Sequence, residues 1–136
     1  MNFLVKTLLW IYQLPQHLLG LILLLFLKAL GIVEKNLKWK EATLYKVYSG
    51  PFHWGVSLGF FIFLTDFFIG DTTTIKHEYG HTRQSMILGP LYLIVVGIPS
   101  FIRATIWFVF NLKSADYYKG YPENWADRLG KVVRRK

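Results

Sequence analysis

Residues His77-Glu78-Tyr79-Gly80-His81 set a condition that the rest of the chain has to meet. On a helix, an H-E-x-x-H pattern places two imidazoles one turn apart on one face, where both can reach a single metal ion. Glu78 is rotated by about 100° from His77, so it sits beside such an ion instead of on it. From that position a carboxylate can act as general base toward a water at the metal. The flanks supply the helix. Asp71 and Thr72 to Thr74 carry N-cap chemistry and Gly89-Pro90 a stop, so residues 72–88 read as one helical segment.

Two histidines leave a catalytic zinc site one protein ligand short. With no Cys and eight Asp plus Glu in 136 residues, few groups can complete it. Glu123-Asn124-Trp125-Ala126-Asp127 follows Tyr121-Pro122, a suitable start for a helix, and precedes Gly130, a suitable stop. Glu123 and Asp127 would share a face one turn apart, with Ala126 allowing another helix to approach closely. Glu123 is the expected third ligand, and Asp127 the acceptor for the outer N–H of a ligand imidazole.

The pair HEYGH and ENWAD resembles the H-E-x-x-H and E-x-x-A-D motifs of the gluzincin metallopeptidases, in particular the membrane-bound class that includes the CAAX prenyl protease and the bacterial heat-shock membrane protease. The resemblance covers the two motifs and little else, and members of that class are considerably longer. It implies Zn2+ held by His77, His81 and Glu123, with Glu78 as catalytic base and Asp127 behind the ligands.

Composition points to a membrane. A chain that is 53% hydrophobic and 18% aromatic with positive mean hydropathy is richer in apolar residues than soluble domains usually are. The net charge of +8 is carried by basic residues that flank apolar segments, which suits anionic lipid heads better than nucleic acid. Residues 1–33 are mostly apolar, interrupted by Gln13, Pro15, Gln16 and His17. They read as a retained membrane anchor, either one kinked helix or an interfacial helix followed by a short span. Lysine outnumbers acid from Lys28 to Lys46, and the tail 131–136 is basic, which puts both on the cytoplasmic side.

Residues 52–70 admit two readings: a helix with Gly55 and Gly59 on a contact face, or a strand in which Val56 to Thr65 alternate. The condition set by the metal favours the strand. Glu123 has to come to about 2 Å from the ion held by His77 and His81, so both motifs lie at one depth. Gly97, Pro99 and Ser100 interrupt the apolar stretch 91–112, which favours a re-entrant hairpin over a clean crossing. A strand ahead of the H-E-x-x-H helix could then bind an extended peptide by β-augmentation.

The expected fold is therefore a mainly α membrane protein of one domain, 1–136. It comprises the anchor at 1–33 and a catalytic core at 52–130 with the H-E-x-x-H helix, a membrane-embedded hairpin, a C-terminal ligand helix and one short strand or hairpin. The expected activity is that of a zinc-dependent membrane endopeptidase of the bacterial inner membrane, its site facing the cytoplasm. Its partners would be a peptide or membrane-protein substrate and the bilayer, with homo-oligomers possible and nucleic acid excluded. His53 and Tyr121 are candidates for holding a substrate carbonyl or oxyanion. The alternative is a non-catalytic membrane protein that binds a metal or partner through the same helix, its site closed by a fourth ligand such as His53 or Asp66.

Overall fold

Phe61-Ile62-Phe63-Leu64 is apolar on both sides of a strand because both sides are covered. The computed structural model describes residues 1–134; Arg135 and Lys136, the end of the basic tail, lie outside them. Four strands form one mixed sheet in the order β1-β2-β4-β3: β1 Val33–Trp39, β2 Ala42–Val47, β3 Gly55–Leu58 and β4 Phe61–Thr65. β2 pairs antiparallel with β1 and parallel with β4, while β3 and β4 are an antiparallel hairpin.

Ile62 and Leu64 of β4 turn to one face with Ala42 and Leu44, where Ile75 and Tyr79 of helix α3 (Thr72–Leu88) meet them. Phe63 turns to the opposite face with Val47 and packs on Leu24 and Leu27 of α2 (Leu14–Ala29). Each such fully buried side chain contributes roughly 1.5–3 kcal/mol. The sheet is thus the middle layer between α2 and α3.

The expectation of a mainly α membrane protein does not hold. The sheet supplies half of the core, and among the described residues only Leu93–Phe110 is a helix long and apolar enough to cross a membrane. Residues 33–47, which overlap the lysine-rich stretch from Lys28 to Lys46, form the β1–β2 hairpin. The lysine-rich sequence is tolerated because β1 is an edge strand with one face in solvent.

The N-terminal segment bends where polar residues interrupt its apolar run. α1 (Phe3–Tyr12) and α2 meet at Gln13 with a bend of 86°. Gln13, Gln16 and His17 are fully buried in this elbow. Gln16 donates to Ser85 Oγ (2.7 Å) and to the Gly89 carbonyl (2.8 Å), and Ser85 donates to Gln13 Oε1 (2.6 Å). His17 donates through Nδ1 to the Trp10 carbonyl and accepts the Phe60 N–H at Nε2 (3.0 Å). Gly59, at φ +64° in the β3–β4 turn, leaves no room for a Cβ against that ring, which would lie 2.2 Å away. The polar residues that interrupt the apolar run therefore tie the bend to the end of α3 and to the β3–β4 turn.

Beyond α3 the chain passes through a π turn, Leu93–Gly97, into α4 (Ile98–Phe110), which has no buried residue. It then reverses through the short α5 (Ser114–Lys119) into α6 (Glu123–Gly130). Arg103 of α4 fastens the return by donating to the carbonyls of Asp116 (2.6 Å) and Tyr117 (2.7 Å). α6 lies against α3 at a distance only small residues permit. A Cβ on Gly80 would come within 1.9 Å of the Ala126 carbonyl oxygen, and one on Gly130 within 1.9 Å of that of Lys76.

Candidate metal centre

Helix α3 starts where Asp71 accepts from the Thr73 N–H (3.1 Å) and ends at Gly89, whose φ is +55°. Its inner face carries His77 and His81, 3% and 6% exposed. Their rings meet edge to face with centroids 4.8 Å apart. Glu123, at the first position of α6 and fully buried, points its carboxylate between them. Oε2 lies 2.9 Å from Nε2 of both histidines. His77, His81 and Glu123 thus form a buried group that could hold a metal ion, with one donor atom from each within 4.8 Å of the others.

The outer partners decide which ring nitrogens this group presents inward. His77 Nδ1 lies 2.7 Å from Asp127 Oδ1, and His81 Nδ1 lies 2.7 Å from Gln84 Oε1. The Gln84 amide is oriented by its own donation to the Pro122 carbonyl (3.0 Å), so its oxygen faces His81. Both outer nitrogens therefore donate, and in a neutral imidazole the inner Nε2 is then a bare lone pair. Two such lone pairs aim at one carboxylate oxygen. A cation in the middle, a metal ion or bound protons, resolves that repulsion, and two imidazoles with a carboxylate are a suitable donor set for a divalent transition metal.

In the metal-free protein the proton takes this role. Burial pushes the His77 pKa down, but hydrogen bonds to Asp127 and Glu123 outweigh it and raise the pKa to about 9. Glu123 moves the opposite way: burial alone would raise it, yet the histidine hydrogen bonds hold it well below the usual carboxylate range. Asp127 is likewise lowered against the effect of burial, by His77 and by Arg134, whose guanidinium spans both carboxylate oxygens at 2.6 and 3.0 Å.

These directions fix a pH dependence. His77 is raised above its ordinary 6.5, so its stabilisation of the metal-free protein is complete below that pH and is lost as pH rises through about 9. The depressed Glu123 and Asp127 contribute above their ordinary values and lose that contribution as pH falls. A metal ion has to displace the His77 proton. Metal affinity should therefore rise about tenfold per pH unit from roughly 6.5 to 9, read by competition with a chromophoric chelator. An affinity flat across that range would contradict the assignment of His77.

Glu78 lies beside the group and differs from it. It is 7% exposed, and among the described residues no donor reaches its carboxylate; only its backbone oxygen accepts a contact, from Thr82. Burial raises its pKa, outweighing the nearby histidines. The carboxylate faces a cleft of about 620 Å³ between β3 and α4, which His81, Tyr92 and Tyr117 also line.

The other sequence candidates fall elsewhere. His53 is exposed and stacks on Phe67 at 4.1 Å, and Tyr121 donates to the Val95 carbonyl at 2.5 Å; neither lines the cleft. Asp66 is exposed and, like His53, does not join the metal group, so among the described residues no fourth protein ligand closes it.

Three partners escape a reading by motif. Gln84 sits at i+3 from His81, a spacing that does place it on the ligand face. Ser100, which donates to Glu123 Oε1 at 2.5 Å, carries no local signal, because the reversal at 111–122 brings it there. Arg134 reaches Asp127 from seven residues downstream.

No protein-family model, curated protein or solved structure matches the chain, so the site rests on its own geometry.

Proposed function

We propose that the protein is a zinc-dependent endopeptidase working at a lipid bilayer, with Glu78 as its general base. The observation that carries this reading is the carboxylate of buried Glu78, which opens onto a cleft, meets no donor among the described residues and lies beside three convergent metal-ligating groups. Leaving such a group unpaired is costly unless water or a ligand pairs with it. The HEYGH and ENWAD motifs add the resemblance to gluzincins of the membrane-bound class. Zinc held by His77, His81 and Glu123 would supply Lewis acidity toward the scissile carbonyl and the attacking water.

The chain's own residues supply the rest. Burial raises the Glu78 pKa and so makes its carboxylate a stronger base, suited to accepting a proton from water and returning it to the departing amine. Tyr117, whose hydroxyl is kept protonated by burial and by the nearby Glu123 and Glu78 carboxylates, is the donor for charge developing on the carbonyl oxygen.

The free edge of β3 would hold the peptide. Leu58 and Phe61 pair across the two-residue turn, so the backbone groups of Gly55 and Ser57 face away from β4. The Tyr92 hydroxyl, 3.4 Å from the Ser57 carbonyl, marks that edge, and Gly55 lies against Glu78. An added strand would pass directly in front of the base.

Support for the bilayer is the surface of α1 and α4, which have no buried residue and expose side chains such as Phe3, Leu4, Phe101 and Phe108. Apolar helix surface exposed on this scale finds its solvent in lipid rather than in water. The test is digestion of a mixed peptide library by the zinc-loaded protein in detergent: wild type cleaves and Glu78→Gln does not. Equal cleavage by both would remove Glu78 from its role.

A further inference from the structure

The cleft in front of Glu78 owes its volume to its α4 wall. Gly97, Ser100 and Ala104 recur at helical spacing on one face and line the cleft together with Phe101. Ser100 is engaged with Glu123, so the open part of the wall is Gly97 and Ala104.

Neither backbone nor packing requires a glycine at 97. Its φ of −58° and ψ of −51° are ordinary helical values, and a Cβ there would meet nothing closer than Leu93 Cδ2 at 3.6 Å. Alanine would favour the helix. The contrast is with Gly80 and Gly130, which a neighbouring backbone forces. What a side chain at 97 would occupy is cleft space. Leu19, Leu93, Ile98 and Phe101 surround that space, so this part of the cleft is apolar, next to the polar end formed by Glu78, His81, Tyr92 and Tyr117.

We propose that Gly97 and Ala104 act as a size filter, admitting a bulky apolar side chain of the substrate next to the bond to be cleaved. The proposal rests on the peptidase reading above. A peptide lying along the β3 edge carries one residue past the open face of α4, and an apolar chamber rewards a large aliphatic or aromatic side chain there. Each methylene accommodated in such a pocket changes kcat/KM by about 10-fold or more.

The test is cleavage of a mixed-sequence peptide library by the full, zinc-loaded protein in detergent, with cut sites read by mass spectrometry and zinc measured in each sample. Wild type should show one position beside the cut dominated by Leu, Phe or Met. Ala104→Phe should move that position to Gly and Ala, lowering the large-to-small ratio of kcat/KM by at least about 10-fold with zinc retained. If Ala104→Phe loses zinc, Gly97→Ala, for which the fold has room, should reduce use of the largest residues at the same position. A wild-type profile indifferent to size, or zinc-loaded variants with the wild-type profile, would overturn the filter while leaving the peptidase intact. A wild type that binds zinc and cleaves nothing would overturn both.

Discussion

Glu78→Gln keeps its metal and loses about 10²- to 10⁴-fold in cleavage rate, the range that a positioned general base contributes. The amide is nearly the same size as the carboxylate, and Glu78 is not one of the three groups converging on the candidate ion, so the fold and the donor set stay intact. What disappears is the ability to take a proton from water. Burial disfavours the charged form of Glu78, so a neutral amide of the same shape should leave the variant as stable as wild type or more so. Loss of activity with equal or higher stability is the signature of a base held at a cost to the fold. A variant that lost activity only because it lost metal or unfolded would show the reverse, with lower zinc content and a lower thermal midpoint.

Gly80→Ala, the smallest possible change inside the motif, costs about 3 kcal/mol or more and empties the site. Its Cβ would overlap the Ala126 carbonyl oxygen at 1.9 Å, and both partners are backbone, so no rotamer can yield. α6 has to move away from α3, taking with it Glu123 at its first position and Asp127 one turn later. The thermal midpoint should fall by about 10 °C, accompanied by loss of bound zinc. Unchanged zinc and stability would mean that the two helices do not cross where described. The comparison with Gly97→Ala is instructive, since the same chemical change in the wall of the cleft should leave both quantities alone.

The site was more legible than the fold. HEYGH, its caps and the spacing of Glu123 and Asp127 are local patterns, and a helix converts local spacing into a shared face. The structure brings those four side chains and Glu78 into one place. Gln84 could have been read from the same i+3 logic.

The sheet was harder to read. β4 is covered by α2 on one face and α3 on the other, so Phe61 to Leu64 show an unbroken apolar run that a buried helix would also show. β1 and β2 alternate weakly under a load of lysine, which looks like a headgroup-facing stretch. The elbow at Gln13 was visible as a flaw in an apolar run, but polar residues there mean a span with defects as readily as a bend stitched to α3 and the β3–β4 turn. His53 and Tyr121 lie on loops away from the cleft, and sequence says little about the direction of a loop side chain.

The measurement that bears most directly on the account is the zinc content of the detergent-purified protein, wild type beside Glu123→Ala, by elemental analysis after the same reconstitution. Two histidines facing one buried carboxylate oxygen predict close to one zinc per wild-type chain and a clear loss in the variant. Equal zinc in both would remove Glu123 from the site, and no zinc in either would mean that protons alone hold His77, His81 and Glu123 together.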